Sequence, residues 1–165
     1  MDDFAKRILS DVNLDEVAPR AKIKPPVDHW SPAVLLERAA YLRKMARYGT
    51  GSASEMVKEF PHYSVALSFL GRTGDADVHL AETCIFHVLA GAATLVTGGA
   101  LSRAKSAGAG EIKSNSIENG SRQELQSQEL RQGDIAHVPS GVPHQFLISG
   151  DKSITCLIVK IREAK

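Results

Sequence analysis

From Pro61 to the C-terminus the sequence never sustains an apolar pattern long enough for a helix. Short apolar runs recur instead: Tyr63 to Leu70, Cys84 to Leu89, Ala92 to Thr97, Ile135 to Val138, His144 to Ile148 and Ile154 to Ile161. Turn residues, glycine above all, separate them, and runs of that length bounded in that way read as strands. Many short strands with no helices between them pair antiparallel, and burying their apolar faces calls for a sandwich or a barrel.

The chain before Pro61 reads differently. Residues 1–30 are polar and irregular, with Pro25 and Pro26 breaking regular structure. Ser31 is placed as an N-cap, with Pro32 at the first helical position, where its missing N–H costs nothing. Leu35, Ala39, Leu42 and Ala46 then recur at helical spacing, basic residues occupy much of the remainder, and Gly49 supplies a stop. Trp30 stands where a hydrophobic staple would pack. Ser52 and Glu55 have the spacing of a capping box, which predicts a second, shorter helix running to Phe60. The division expected is an N-terminal irregular and helical extension over 1–61 and a β-domain over 62–165. Within the latter, Asn119-Gly120 predicts a type I′ hairpin joining a strand near Glu111 to Ile117 to one near Ser121 to Leu125. The stretch from Gly98 to Gly110, rich in Gly, Ala and Ser, reads as a mobile loop.

Charge narrows the function. Among 165 residues, 20 basic side chains nearly balance 19 acidic ones and no run of like charge stands out, so neither nucleic acid nor a membrane surface is an expected partner. No apolar stretch is long enough to span a bilayer, and the acidic start lacks the layout of a secretory signal. Cys84 and Cys156 both fall inside apolar strand-like runs, the usage of a reduced, cytoplasmic chain. Thr97-Gly98-Gly99 precedes no Lys-Ser/Thr pair, and no nucleophile elbow is present, which disfavours phosphoryl transfer and serine hydrolysis.

The stretch Gly133-Asp134-Ile135-Ala136-His137-Val138-Pro139-Ser140-Gly141-Val142-Pro143-His144 makes a turn, a strand and a tight corner, and delivers His144 into the next strand. It resembles the second cupin motif closely, with Ile148 in place of the terminal Asn. The first cupin motif is degraded. Counting back from Gly91, Cys84 stands at the usual Glu, His79 at the second His and Asp77 at the first. Together the two motifs cover roughly residues 77–148, and the pattern is similar to that of small bacterial cupins. The resemblance implies a mainly β fold, a single cupin-type antiparallel β-barrel (jelly roll) with N-terminal helices. It also implies a homodimer, since many cupins pair barrels edge to edge.

Cupins commonly hold a divalent metal through these motif positions. Carried over, the resemblance gives Asp77, His79 and His144 as ligands, with Cys84 at the fourth position and Fe, Mn, Ni or Zn as the possible ion. Glu82 shares the phase of Cys84 and could replace the lost carboxylate if the local strand bulges. His137 and Glu82 are the candidates for moving a proton, His137 provided that it faces inward. His87 is out of phase with Cys84 and should face the other way, while His29 and His62 have local roles. Tyr63 and Phe69 share a strand face and should fill core. The function implied is a metal-dependent cupin enzyme acting on a small organic molecule, by oxidation, isomerisation or lyase chemistry. The alternative is a non-catalytic module that binds a small ligand.

Overall fold

The computed structural model describes residues 27–120 and 124–163. Its helix, α1, spans Pro32–Tyr48. The Ser31 hydroxyl accepts a hydrogen bond from the Val34 N–H, satisfying one of the free donors of the first turn. Leu35, Ala39, Leu42 and Ala46 are its buried residues, the stripe that the periodicity predicts. No helix among the described residues is long and apolar enough to cross a membrane.

Among the described residues, everything after α1 is strand, turn or loop. In chain order the strands are β1 (Ser52–Glu59), β2 (Tyr63–Leu70), β3 (Ala76–His79), β4 (Glu82–Thr97), β5 (Ala100–Leu101), β6 (Lys105–Gly108), β7 (Glu111–Ser114), β8 (Ile117–Glu118), β9 (Gln126–Arg131), β10 (Ile135–Val138), β11 (His144–Leu147) and β12 (Ile154–Arg162). All pairings are antiparallel. Strand β4 organises the barrel because it serves two sheets. Residues 82–91 pair with β12, and Cys84 to His87 also with β10. Residues 92–97 pair with β9, and Thr94 to Thr97 also with β11. One sheet thus runs β1-β2-β12-β4-β10 and the other β9-β4-β11-β3-β7-β6. The change of direction falls at a bulge beside Leu89 and at Gly91, whose φ of 81° is open to glycine at little cost.

Alternation along the strands then divides inside from outside. Phe86, Val88, Leu95, Phe146, Ile154 and Cys156 belong to one buried cluster between the sheets. Leu67 and Phe69 turn the other way and pack against Ala39, Leu42 and Ala46 of α1. The helix therefore closes the outer face of the first sheet and leaves its inner face to line a cavity. Leu67 is fully buried in this second cluster. We expect Leu67→Ala to destabilise the fold by about 2–5 kcal/mol, read as a lower midpoint in urea denaturation at unchanged slope. A loss under about 0.5 kcal/mol would mean that the helix contributes little to the barrel.

Four expectations are corrected. Ser52–Glu59 is strand β1, not a helix, and pairs residue by residue with β2. Its period is two: Ala53 and Val57 pack beneath α1, and Glu55 between them takes a two-pronged ion pair from Arg38. Glu55 therefore serves a helix 17 residues away, not a cap at Ser52. Residues 98–110 contain β5, paired with β8, and β6, paired with β7. Finally, Asn119-Gly120 does not form the predicted hairpin, since Gly120 lacks a positive φ and Ile117 and Glu118 pair with β5. Residues 121–123 of the predicted second strand lie outside the described residues, as do residues 1–26. Tyr63, expected in the core, is exposed, while Phe69 is buried.

Candidate metal centre

Strand pairing assembles the site. Asp77 and His79 are two apart on β3, so their side chains share a face. His144 opens β11 directly opposite Asp77. The corner from Pro139 to Pro143 is fastened to the same place, because the Gly141 N–H donates to the His79 carbonyl at 2.8 Å. The two segments that resemble cupin motifs are thus tied together by backbone. Ligating atoms of Asp77, His79 and His144 all fall within 4.8 Å of one another. The two imidazole rings lie 5.5 Å apart between centroids, and Phe86 packs edge-on to His144 at 5.7 Å. Both histidines are buried.

Burial sets the protonation of this group. It pushes the Asp77 carboxyl up to about 6, against the pull of Lys113. It pulls His79 down to about 4, assisted by the charge of Lys160 and the neighbouring His144. His144 is lowered too, burial outweighing its hydrogen bond to the Val142 carbonyl. That bond, Nδ1 to oxygen at 3.2 Å, requires the proton on Nδ1 and leaves Nε2 with a free lone pair. Near neutral pH the cluster therefore offers two neutral imidazoles and one carboxylate, the forms that bind metals. Asp77 Oδ1 is buried without a hydrogen-bond partner; the Lys113 ammonium stands 3.9 Å away. A buried acceptor left in this state is uncommon and costly, and a cation would satisfy it. The residues present fit a divalent ion of the N/O-binding kind, held by two imidazoles and a carboxylate.

The cluster stands on the wall of a cavity of about 420 Å³. Phe86, Phe146 and Ile154 give it an apolar side, Ser54 and Ser68 a hydroxyl-bearing one. Glu111 and Lys113 enter from β7, opposite His79 and Asp77 in register. Glu111 Oε1 lies 3.8 Å from His79 Nδ1 and 3.7 Å from Lys113 Nζ.

Other candidates lie elsewhere. His137 is exposed beside an exposed Ile135, while its strand neighbours Ala136 and Val138 face the core. The alternation of β10 thus turns His137 outward, away from the cavity where a proton could be moved. Glu82 opens β4 and faces Arg162 at 3.9 Å, apart from the three clustered residues. Cys84 is buried in the apolar cluster and its thiol is pushed up to about 11 by burial, so it stays protonated and is a poor ligand. His87, as expected, is out of phase with the inward residues Phe86 and Val88. Sequence reasoning missed Lys160, Glu111, Lys113 and Gln145, all of which line the cavity. Lys160 carried a signal, being in phase with Ile154, Cys156 and Ile158. Glu111 and Lys113 carried none, because their place depends on pairing with β3.

No protein-family model matches the chain, and no curated protein matches it. Solved structures do. KdgF from Halomonas sp. is 15% identical, with a TM-score of 0.48 over 70% of this chain and 83% of its own. A protein with a double-stranded β-helix domain from Klebsiella pneumoniae is 18% identical, with a TM-score of 0.48 over 67% and 76%. Pac13 from Streptomyces, described as a nucleoside dehydratase, is 9% identical, with a TM-score of 0.45 over 70% and 72%. At such identities the likeness is one of fold. Two antiparallel sheets sharing the bent strand β4, a cavity between them, and a proline–glycine corner that delivers His144 into that cavity are the arrangement expected of the cupin-type β-barrel that the two sequence motifs resemble.

Proposed function

We propose that the protein is a metal-dependent enzyme that acts on a small organic molecule in the barrel cavity. The observation that supports this reading is the convergence of Asp77, His79 and His144 on one point of the cavity wall. Asp77, His79 and His144 would hold the ion. When bound, a divalent ion polarises a substrate oxygen or acidifies a water. The rest falls to side chains. Val142 fixes the His144 ring and its tautomer through the carbonyl bond to Nδ1. Phe86, packed against His144 and Phe146, keeps water from the buried side of the site. Glu111 faces both His79 and Lys113 and has a carboxylate that could exchange a proton with a bound molecule. It takes the role that the sequence assigned to His137 and Glu82.

Metal analysis of untagged protein tests this. The wild type should bind about one equivalent of a first-row divalent ion, and His79→Ala and His144→Ala should each weaken it by about 100-fold or more. The fold should survive in both. Full metal content in both variants would remove the site from these residues. A wild type that binds no metal but takes up small molecules would be a binding module.

A further inference from the structure

Lys160 is a charged cavity residue to which the metal reading gives no role. It lies on β12 between Ser64 of β2 and Cys84 of β4, both buried. Ile154, Cys156 and Ile158, the preceding residues in its phase, line the cavity as it does. Among the described residues no carboxylate comes within 4.0 Å of its ammonium, whereas Lys113 across the cavity has both Asp77 and Glu111 at that range. Its charge nonetheless reaches Asp77, His79 and His144, favouring the proton-free form of each. A partly buried ammonium without a counter-charge is held at a cost, and an anion entering the cavity would offset it.

The rest of the lining narrows the anion. No arginine is among the described cavity residues; of the acidic ones, Glu55 is paired with Arg38, Asp77 and Glu111 face Lys113, and Asp75 precedes β3. One ammonium without a carboxylate partner, in a lining that also carries Lys113 and four acidic residues, suits a single negative charge and opposes a dianion such as a phosphate ester. The apolar patch of Phe86, Phe146 and Ile158 suits a short carbon skeleton. We propose that the cavity takes small organic monocarboxylates, with Lys160 binding the carboxylate and the remaining oxygen substituents turned towards Asp77, His79 and His144. This deepens the enzyme reading and rests on it for the role of those three residues; the anchoring by Lys160 does not require the ion.

NMR titration tests the proposal with pyruvate, 2-hydroxybutyrate and benzoate, each beside its primary amide. Each titration is run on EDTA-treated and on metal-loaded protein, with metal content measured on the same samples. At least one carboxylate should bind about tenfold more tightly than its amide, and Lys160→Met should abolish that preference. Lys113→Met should change it by less than about threefold, because Lys113 already has acidic partners. Lys160→Met should keep its metal content and its melting temperature. Amides that bind as well as acids, a Lys160→Met protein that retains the preference, or no binding by any of the three acids would each overturn the anchor. If the wild type holds no metal but the preference persists and depends on Lys160, the enzyme reading falls and the anchor stands.

Discussion

Asp77→Asn is expected to stabilise the metal-free protein at pH 7.5 by roughly 1–3 kcal/mol while removing its ability to gain stability from metal. The carboxyl ordinarily titrates at 3.8, and in the folded protein at about 6. The fold thus prefers it protonated. Its contribution to stability is fully present below 3.8 and is lost as pH rises through about 6. Near pH 7.5 the charge is present, half-buried and short of donors. Asparagine removes the charge at nearly the same volume. His79 runs the other way: lowered from 6.5 to about 4, it contributes stability above 6.5 that is lost as pH falls through about 4. His144, also lowered, acts in the same direction. The carboxyl and the imidazoles therefore oppose one another over this interval in the wild type. In Asp77→Asn only the imidazoles remain, so stability should climb more steeply with pH. Thermal melts in EDTA across pH 4 to 8 read both effects. An asparagine variant less stable than the wild type at pH 7.5 would show that the carboxylate is already satisfied in the metal-free fold.

Gly91→Ala should cost about 3 kcal/mol or more and yield little folded protein. Gly91 sits where β4 passes from one sheet to the other, with φ at 81°. An added Cβ would stand 1.9 Å from the Ser153 carbonyl oxygen. That oxygen cannot easily move, since it accepts the Ala92 N–H at 2.9 Å and leads into β12. Relief would require parting β12 from β4, the pairing on which the first sheet depends. Gly133→Ala separates backbone strain from collision. Its φ of 93° is equally unfavourable, but its added Cβ would meet nothing within 4 Å. A loss of only about 1–2 kcal/mol is expected there. Urea denaturation of the two variants gives the comparison. Equal losses would mean that the contact with Ser153 relaxes freely.

What could be read from the sequence follows from how local each cause is. The corner from Gly133 to His144 is set by neighbours in sequence, so its residues announced both the fold and His144. Gly91 marks the bend, and counting back from it reached His79 and Asp77 because one strand and one turn connect them. Strand β1 was misread because Ser52 and Glu55 imitate a cap. What makes it a strand is pairing with β2 and the Arg38–Glu55 contact, both set at a distance. Gly98 to Gly110 looked unstructured because small residues bury little; β6 exists there through the partner it finds in β7. His137 had an even choice of face by phase alone, and Ala136 and Val138 took the inner one. Glu111 reached the site by register with His79, for which no local pattern exists.

The central claim is that His79 and His144, and no other histidine, hold one ion. Long-range proton–nitrogen spectra of the imidazoles, recorded while Zn(II) is added to metal-free protein, address it directly. The rings of His79 and His144 should shift together and saturate at about one equivalent, with His144 keeping its proton on Nδ1 and binding through Nε2. His29, His62, His87 and His137 should not move. Shifts at His137, or changes at His79 and His144 that fail to saturate together, would contradict the account.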